Sequence, residues 1–156
     1  SRIDVLEHVF KNKIQNTLFA GIFNEEIFRE LKNKKNKIVI KDTFSKKKIS
    51  ISIDKFYLKN DNAIVISNNN TVIFTKYRKP FHYLSDFREL NINLKKYKIL
   101  IVKSGYLSPE LKKLKADNFM ILTDGFVTQD FKRIKNLFRE KPIYPFQKNF
   151  RYNIAI

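Results

Sequence analysis

Ile99-Leu100-Ile101-Val102-Lys103-Ser104-Gly105 and Phe119-Met120-Ile121-Leu122-Thr123-Asp124-Gly125 are the two stretches whose reading decides the fold. Each is a short apolar run, read as a buried strand, that enters a polar loop containing glycine. Helical spacing follows each loop, over Leu107 to Leu114 in the first case and Gln129 to Leu137 in the second. Strand, loop and helix repeated twice predicts βαβ units with parallel strands. In open α/β sheets ligands gather at the carboxyl ends of strands. Lys103, Ser104 and Gly105, with Asp124 and Gly125, are therefore the first candidates for a binding region. A tail punctuated by proline, Lys141-Pro142-Ile143-Tyr144-Pro145-Phe146, closes the run.

Working outward, Ile3 to Lys13 reads as an amphipathic helix and Thr17 to Phe23 as a compact apolar strand. Asn24 is placed to cap a helix over Glu25 to Leu31, whose first turn carries the acids that a helix N-terminus favours. The period then changes. Lys37 to Ile40, Lys48 to Tyr57, Ala63 to Ser67 and Thr71 to Thr75 are expected strands, with Ile49, Ile51 and Ile53 alternating against Ser50, Ser52 and Asp54. Asn68-Asn69-Asn70 is expected to turn a hairpin, because Asn tolerates positive φ. A short helix over Leu84 to Leu90 precedes the first of the two deciding stretches. The expected fold is α/β: a mixed β-sheet with βαβ units in the C-terminal half and an antiparallel β-hairpin region in the middle.

Length and composition bound the rest. The chain has 156 residues, 43% apolar and 30% charged, which predicts one domain with one sizeable core spanning 1–156. No apolar run approaches the roughly 20 residues of a spanning helix. The absence of cysteine excludes disulfides, thiolate metal sites and a Cys nucleophile, and fits a reducing cytoplasm. The start, Ser1-Arg2-Ile3-Asp4, has no signal-peptide layout. It also lacks an initiator Met, and helical spacing begins at Ile3, so upstream sequence is expected to have been removed.

The formal net charge is +17, which attracts phosphate backbones and other polyanions. Only 7 of the 32 basic residues are Arg, however, and the Lys excess comes with 16 Asn. Base and phosphate recognition favours the guanidinium fork, whereas Lys with Asn and Ile is what an AT-rich genome writes into solvated positions. The Lys runs at Lys32 to Lys37 and Lys46 to Lys48 carry no interleaved aromatics for base stacking. From composition, nucleic acid is not the expected partner.

Candidate chemistry is thin. His8 and His82 are the two histidines, with no His-Glu-x-x-His and no Asp-x-His pair, so no complete zinc site is expected. His8 is read as a surface residue and His82 as a packed loop residue. Lys103 and Ser104 are adjacent on a strand end and point to opposite faces, which disfavours a Ser-Lys dyad. Three glycines provide no phosphate cradle, so Gly105 and Gly125 are read as tight turns that offer backbone N–H groups to an anion or a partner loop. Asp124 is a turn residue or an acceptor for a substrate amine.

From Asn62 onward the order of motifs resembles the C-terminal domain of the MlrC (microcystinase C) family of zinc metallopeptidases. The resemblance runs through the hairpin Ala63 to Phe74, the Arg78-Lys79-Pro80 turn, the Ile92-Asn93 link and Lys98-Ile99-Leu100-Ile101-Val102-Lys103-Ser104. It continues through Leu122-Thr123-Asp124-Gly125 to Lys141-Pro142-Ile143-Tyr144-Pro145. Phe19-Ala20-Gly21-Ile22-Phe23-Asn24-Glu25-Glu26 is similar to that domain's strand-to-helix entry, with Asn24 and Glu25 where the family usually has Asp-Pro. Asp124 also departs from the family's usual Thr-Pro-Gly.

The resemblance implies that the metal ligands lie in a larger N-terminal domain, which this chain lacks and which would be its partner. Zinc would belong to that missing domain, and no catalytic or metal residue is expected here. Lys103, Ser104, Gly105, Asp124, Gly125 and Tyr144 would help wall the substrate cleft of a cytoplasmic hydrolase. Lys103 would supply positive charge to a substrate carboxylate or developing oxyanion, and Ser104 a hydrogen bond. A homo-oligomer is compatible with this reading, and a membrane partner is not expected. The alternative is a basic module acting alone on nucleic acid or another anionic partner, with Tyr57, Tyr77 and Tyr83 as stacking groups.

Overall fold

Thr17–Phe23 forms a strand, β1, because its run of apolar residues is covered on both faces, and only its last residue, Phe23, is well exposed. The structure is a computed structural model that describes residues 2–33, 36–41, 46–103 and 108–121. Around β1 the chain adds helix α1 (Arg2–Lys11), helix α2 (Glu26–Lys32) and strands β2 (Lys37–Lys41), β3 (Lys48–Ser52), β4 (Lys55–Lys59), β5 (Asn62–Ser67) and β6 (Asn70–Thr75). Helix α3 (Leu84–Arg88), a 3₁₀ turn (Leu94–Lys96), strand β7 (Ile99–Val102) and helix α4 (Pro109–Lys112) follow. All of these belong to a compact unit ending at Phe119; the second unit is 120–156, of which residues 120 and 121 are described.

Among the described residues five strands form a mixed sheet in the order β4-β5-β6-β1-β7. β4, β5 and β6 are an antiparallel meander, and β1 runs parallel to both β6 and β7. The β6–α3–β7 connection is thus a βαβ unit whose strands flank β1. β2 and β3 pair separately as an antiparallel ribbon. The fold is α/β with an antiparallel hairpin region in the middle, as the sequence pattern predicts.

Two hydrophobic layers hold the sheet. On one face Phe19, Val65, Val72 and Phe74 pack with Leu6 of α1, Ile27 and Leu31 of α2, and Ile38 and Ile51 of the ribbon. On the other, Leu18, Ile64 and Ile73 pack under Phe81, Phe87, Leu90 and Leu111. Being covered twice explains why β5 and β6 read as nearly continuous apolar runs, while the ribbon alternates. No helix among the described residues is long and apolar enough to cross a membrane.

The turns follow from residues that accept positive φ. Asn60-Asp61 (φ 48° and 55°) joins β4 to β5, and Asn68-Asn69 (φ 48° and 58°) joins β5 to β6, the backbone that two-residue hairpin loops require. Asn70 already belongs to β6. Its side chain accepts a hydrogen bond from Thr17 N (2.9 Å) and donates one to Ile14 O (2.8 Å), fastening the start of β1.

Four expectations are corrected. The strand expected over Lys48 to Tyr57 is two strands in different sheets. Asp54 breaks it by donating its N–H to Ile66 O (2.9 Å) while its carboxylate accepts the N–H of Asn68 (2.7 Å). The stretch from Phe119 is not a strand over its described residues, and Phe119, Met120 and Ile121 are exposed at 84%, 57% and 69%. A four-residue apolar run cannot by itself distinguish a buried strand from an exposed segment. β7 does form, as the outermost of the described strands beside β1, where Ile99 is exposed and the other three residues are half-buried. The helix after the first loop is a short one, with Ser108 Oγ accepting from Leu111 N (3.2 Å) as its N-cap. The helix expected over Gln129 to Leu137 lies outside the described residues.

Candidate functional site

Because β6, β1 and β7 are parallel, their carboxyl ends open at one edge of the sheet, at Thr75, Phe23 and Val102. Asn24 N donates to Thr75 O (3.1 Å), binding the ends of β1 and β6 together, and the Asn24 side chain accepts from Ile27 N (3.3 Å) to cap the entry to α2. Lys103 is the first residue beyond β7 and is exposed. This is the edge at which an α/β sheet presents its loops to a ligand.

A bulge shapes the edge. Phe19 pairs with Val72 and Ile22 with Phe74, so Ala20 and Gly21 together face Ile73. Gly21 takes φ +78°, and a Cβ there would lie 3.0 Å from Phe81 Cδ2 and 3.3 Å from Lys79 O. Only glycine lets the segment leaving β6 lie this close to the strand.

That segment, Lys76 to Pro80, is rich in cations. The Arg78 guanidinium lies 5.4 Å from the Phe23 ring centroid and the Lys76 ammonium 5.2 Å from that of Tyr77, within cation–π range. Hydrogen bonding to Tyr77, then attraction to Tyr77 and Asp61, holds the Lys76 pKa above its ordinary value. Lys79 is paired with Asp86 at 3.0 Å.

Asp86 is the organising residue of this edge. Its side chain is nearly buried, and besides Lys79 it accepts hydrogen bonds from His82 N (3.0 Å) and Tyr83 N (2.9 Å). A buried carboxylate is tolerable because it is so fully bonded. Ser108 Oγ donates to His82 O, and Glu110 accepts from Leu84 N (2.7 Å). The segment leaving β6 is thereby tied to the start of α4, the helix that follows the Lys103 loop. Asp86 and Ser108 were not singled out from the sequence. Ser108-Pro109-Glu110 does carry a helix-start signature, but Asp86 looks like any polar residue of a short helix.

Of the residues expected to bind substrate, Lys103 stands at this edge, and Ser104, Gly105, Asp124, Gly125 and Tyr144 lie outside the described residues. Tyr77 and Tyr83 are exposed. Tyr57 is half-buried and donates its hydroxyl to Leu90 O (3.3 Å), and burial raises its pKa; it is a packing residue, not a free stacking platform. The buried Asn62 Oδ1 and Thr75 Oγ1, on directly opposed residues of β5 and β6, have no hydrogen-bond partner among the described residues.

The described residues do not fit zinc. His8 is exposed on α1, His82 is half-buried in the loop before α3, and Asp86 beside it is committed to two amides and a lysine. No group of three or more His, Asp or Glu is arranged to hold a metal among the described residues.

No curated protein matches the chain. Residues 39–136 do match the family described as MlrC C-terminus, a span that takes in the meander, the cationic segment, β7 and the Lys103 loop. By that match, over more than half of its length, the chain belongs to the MlrC C-terminus family.

Proposed function

We propose that this chain is the C-terminal domain of a cytoplasmic metal-dependent hydrolase acting on peptide bonds, and that it walls the substrate cleft without itself catalysing the reaction. The observation that carries the reading is the shared carboxyl edge of β6, β1 and β7, with Lys103 at its rim and the Lys76–Lys79 segment fastened to the same edge through Asp86. Such an edge offers fixed positive charge to a carboxylate or to an oxyanion that develops during acyl transfer. Lys103 has the role of that charge, and Ser104 and Gly105 that of hydrogen-bond donors beside it; Asp124, Gly125 and Tyr144 complete the substrate wall. The partner is an N-terminal domain that holds the zinc, and the chemistry at the scissile bond belongs to that domain.

The test is hydrolysis of a peptide by the protein that joins both domains, with Lys103→Met as the variant. Losing one charged hydrogen bond to the substrate is worth about 1.5–3 kcal/mol, so kcat/KM is expected to fall about tenfold to a hundredfold, with melting unchanged. Unchanged turnover would remove Lys103 from the cleft and with it the main support for this reading.

A further inference from the structure

We infer that the outward face of the β2–β3 ribbon is a docking surface for the phosphate backbone of double-stranded nucleic acid, independently of any hydrolytic role. The two Lys runs look unremarkable in sequence, but antiparallel pairing of β2 with β3 puts Lys37, Lys41 and Lys48 on one exposed face, Lys37 at one end of it and the Lys41–Lys48 pair at the other. Register sets Lys41 directly opposite Lys48, Val39 opposite Ser50 and Lys37 opposite Ser52. All six of these residues are exposed, while Ile38, Ile40 and Ile51 of the same strands are buried in the core. The ribbon is thus rigidly held from beneath and cationic on top.

Lys41 facing Lys48 is a choice that an isolated ribbon would avoid, since like charges directly opposed repel. Among the described residues no carboxylate forms an ion pair with Lys37, Lys41 or Lys48. Glu30 reaches the ribbon's edge, but it accepts the backbone N–H of Val39 (3.4 Å). Lys46, just before β3, is exposed too, and its neighbour Lys47 is tied to Asp4 at 2.6 Å. An anionic partner would relieve the repulsion.

The composition of the face selects the kind of partner. Protein interfaces are depleted in Lys and Ser and centred on apolar anchors, and among the described residues of this face Val39 is the one exposed apolar residue. Phosphate contacts, in contrast, come from Lys and Ser. Among its described residues the face has no exposed aromatic side chain on which unpaired bases could stack and no Arg to supply the guanidinium fork that reads guanine. What remains is contact with a duplex backbone that is indifferent to sequence.

The experiment is fluorescence anisotropy of the full chain with a labelled 20-base-pair DNA duplex between about 50 and 200 mM salt, a range over which phosphate contacts are lost steeply. The triple variant K37Q/K41Q/K48Q is compared with a charge-matched control, K95Q/K96Q/K98Q, whose lysines lie in and after the 3₁₀ turn and are also exposed. Each phosphate contact contributes about 0.9 to the slope of log K against log salt. The ribbon variant is therefore expected to flatten the slope by about 2 to 3, and the control by clearly less. Equal flattening by both variants would overturn the proposal, because binding would then follow net charge alone. Absence of salt-dependent binding by the parent chain would overturn it outright, as would competition by polyglutamate at the same charge concentration as by duplex, which would assign the face to an acidic protein.

Discussion

The sheet and the ribbon are built from similar residues, yet they differ in how many faces are covered. β5 and β6 are enclosed on both sides, and every one of their residues is buried except Ile66, which is half-buried. β2 and β3 are enclosed on one side, so Ile alternates with Lys and Ser. The comparison teaches that apolar periodicity reports the number of packed layers more reliably than it reports where strands begin and end. It also separates two roles: the sheet positions loops at its carboxyl edge, whereas the ribbon presents a surface.

The largest effect that tests the contrast is a pair of truncations. Phe74→Ala, at a fully buried site in β6, is expected to cost about 3–5 kcal/mol. Val39→Ala on the open face of the ribbon should stay within about 0.5 kcal/mol. Urea denaturation of both variants measures the difference, and similar losses would break the distinction between the two regions.

Gly21→Ala sharpens it. A positive φ and a ring 3.0 Å from the new Cβ make a cost of about 1–3 kcal/mol the expected outcome, read as a lowered denaturation midpoint. A neutral result would mean that Phe81 does not press on β1.

Thr75→Val tests the opposite consequence of double coverage. The Thr75 hydroxyl is buried without a described partner, so its replacement by an isosteric methyl should be neutral or stabilising by up to about 1 kcal/mol. Destabilisation would reveal a hydrogen bond to that oxygen.

The smallest effect concerns the tether between the ribbon and α1. The hydrogen bond from the Lys47 ammonium first, and the positive amino terminus second, lower the Asp4 carboxyl from 3.8 to about 2. The folded-state pKa is depressed, so the contribution is complete above about 4 and is lost as the pH falls through about 2. Both side chains are largely exposed, which keeps the effect small. The difference in urea midpoint between the parent and Asp4→Asn should shrink over that window; a constant difference would show that the pair is not formed.

Much of this architecture was legible in the sequence. Thr17–Phe23 has the bounds its pattern predicts, and Asn68-Asn69 turns the chain where Asn tolerates positive φ. The break at Asp54 was not legible, because alternation continues through it and the deciding hydrogen bonds come from β5 and the turn beyond. Lys103 was read as following a strand, and it does follow β7. Asp86 was missed because its importance comes from Lys79, His82, Tyr83 and the burial that a folded chain alone provides. The family resemblance read from the order of motifs agrees with the match over residues 39–136.

The parallel pairing of β1 has a consequence for the order of assembly. The β4–β5–β6 meander joins strands through two-residue turns and can form locally, but Leu18 must wait for Thr71 and Thr17 for Ile99. Closure of such long loops opposes early pairing and slows folding. On a ribosome, β1 would therefore remain unpaired until most of the sheet had emerged, and its apolar residues would need shelter for that time.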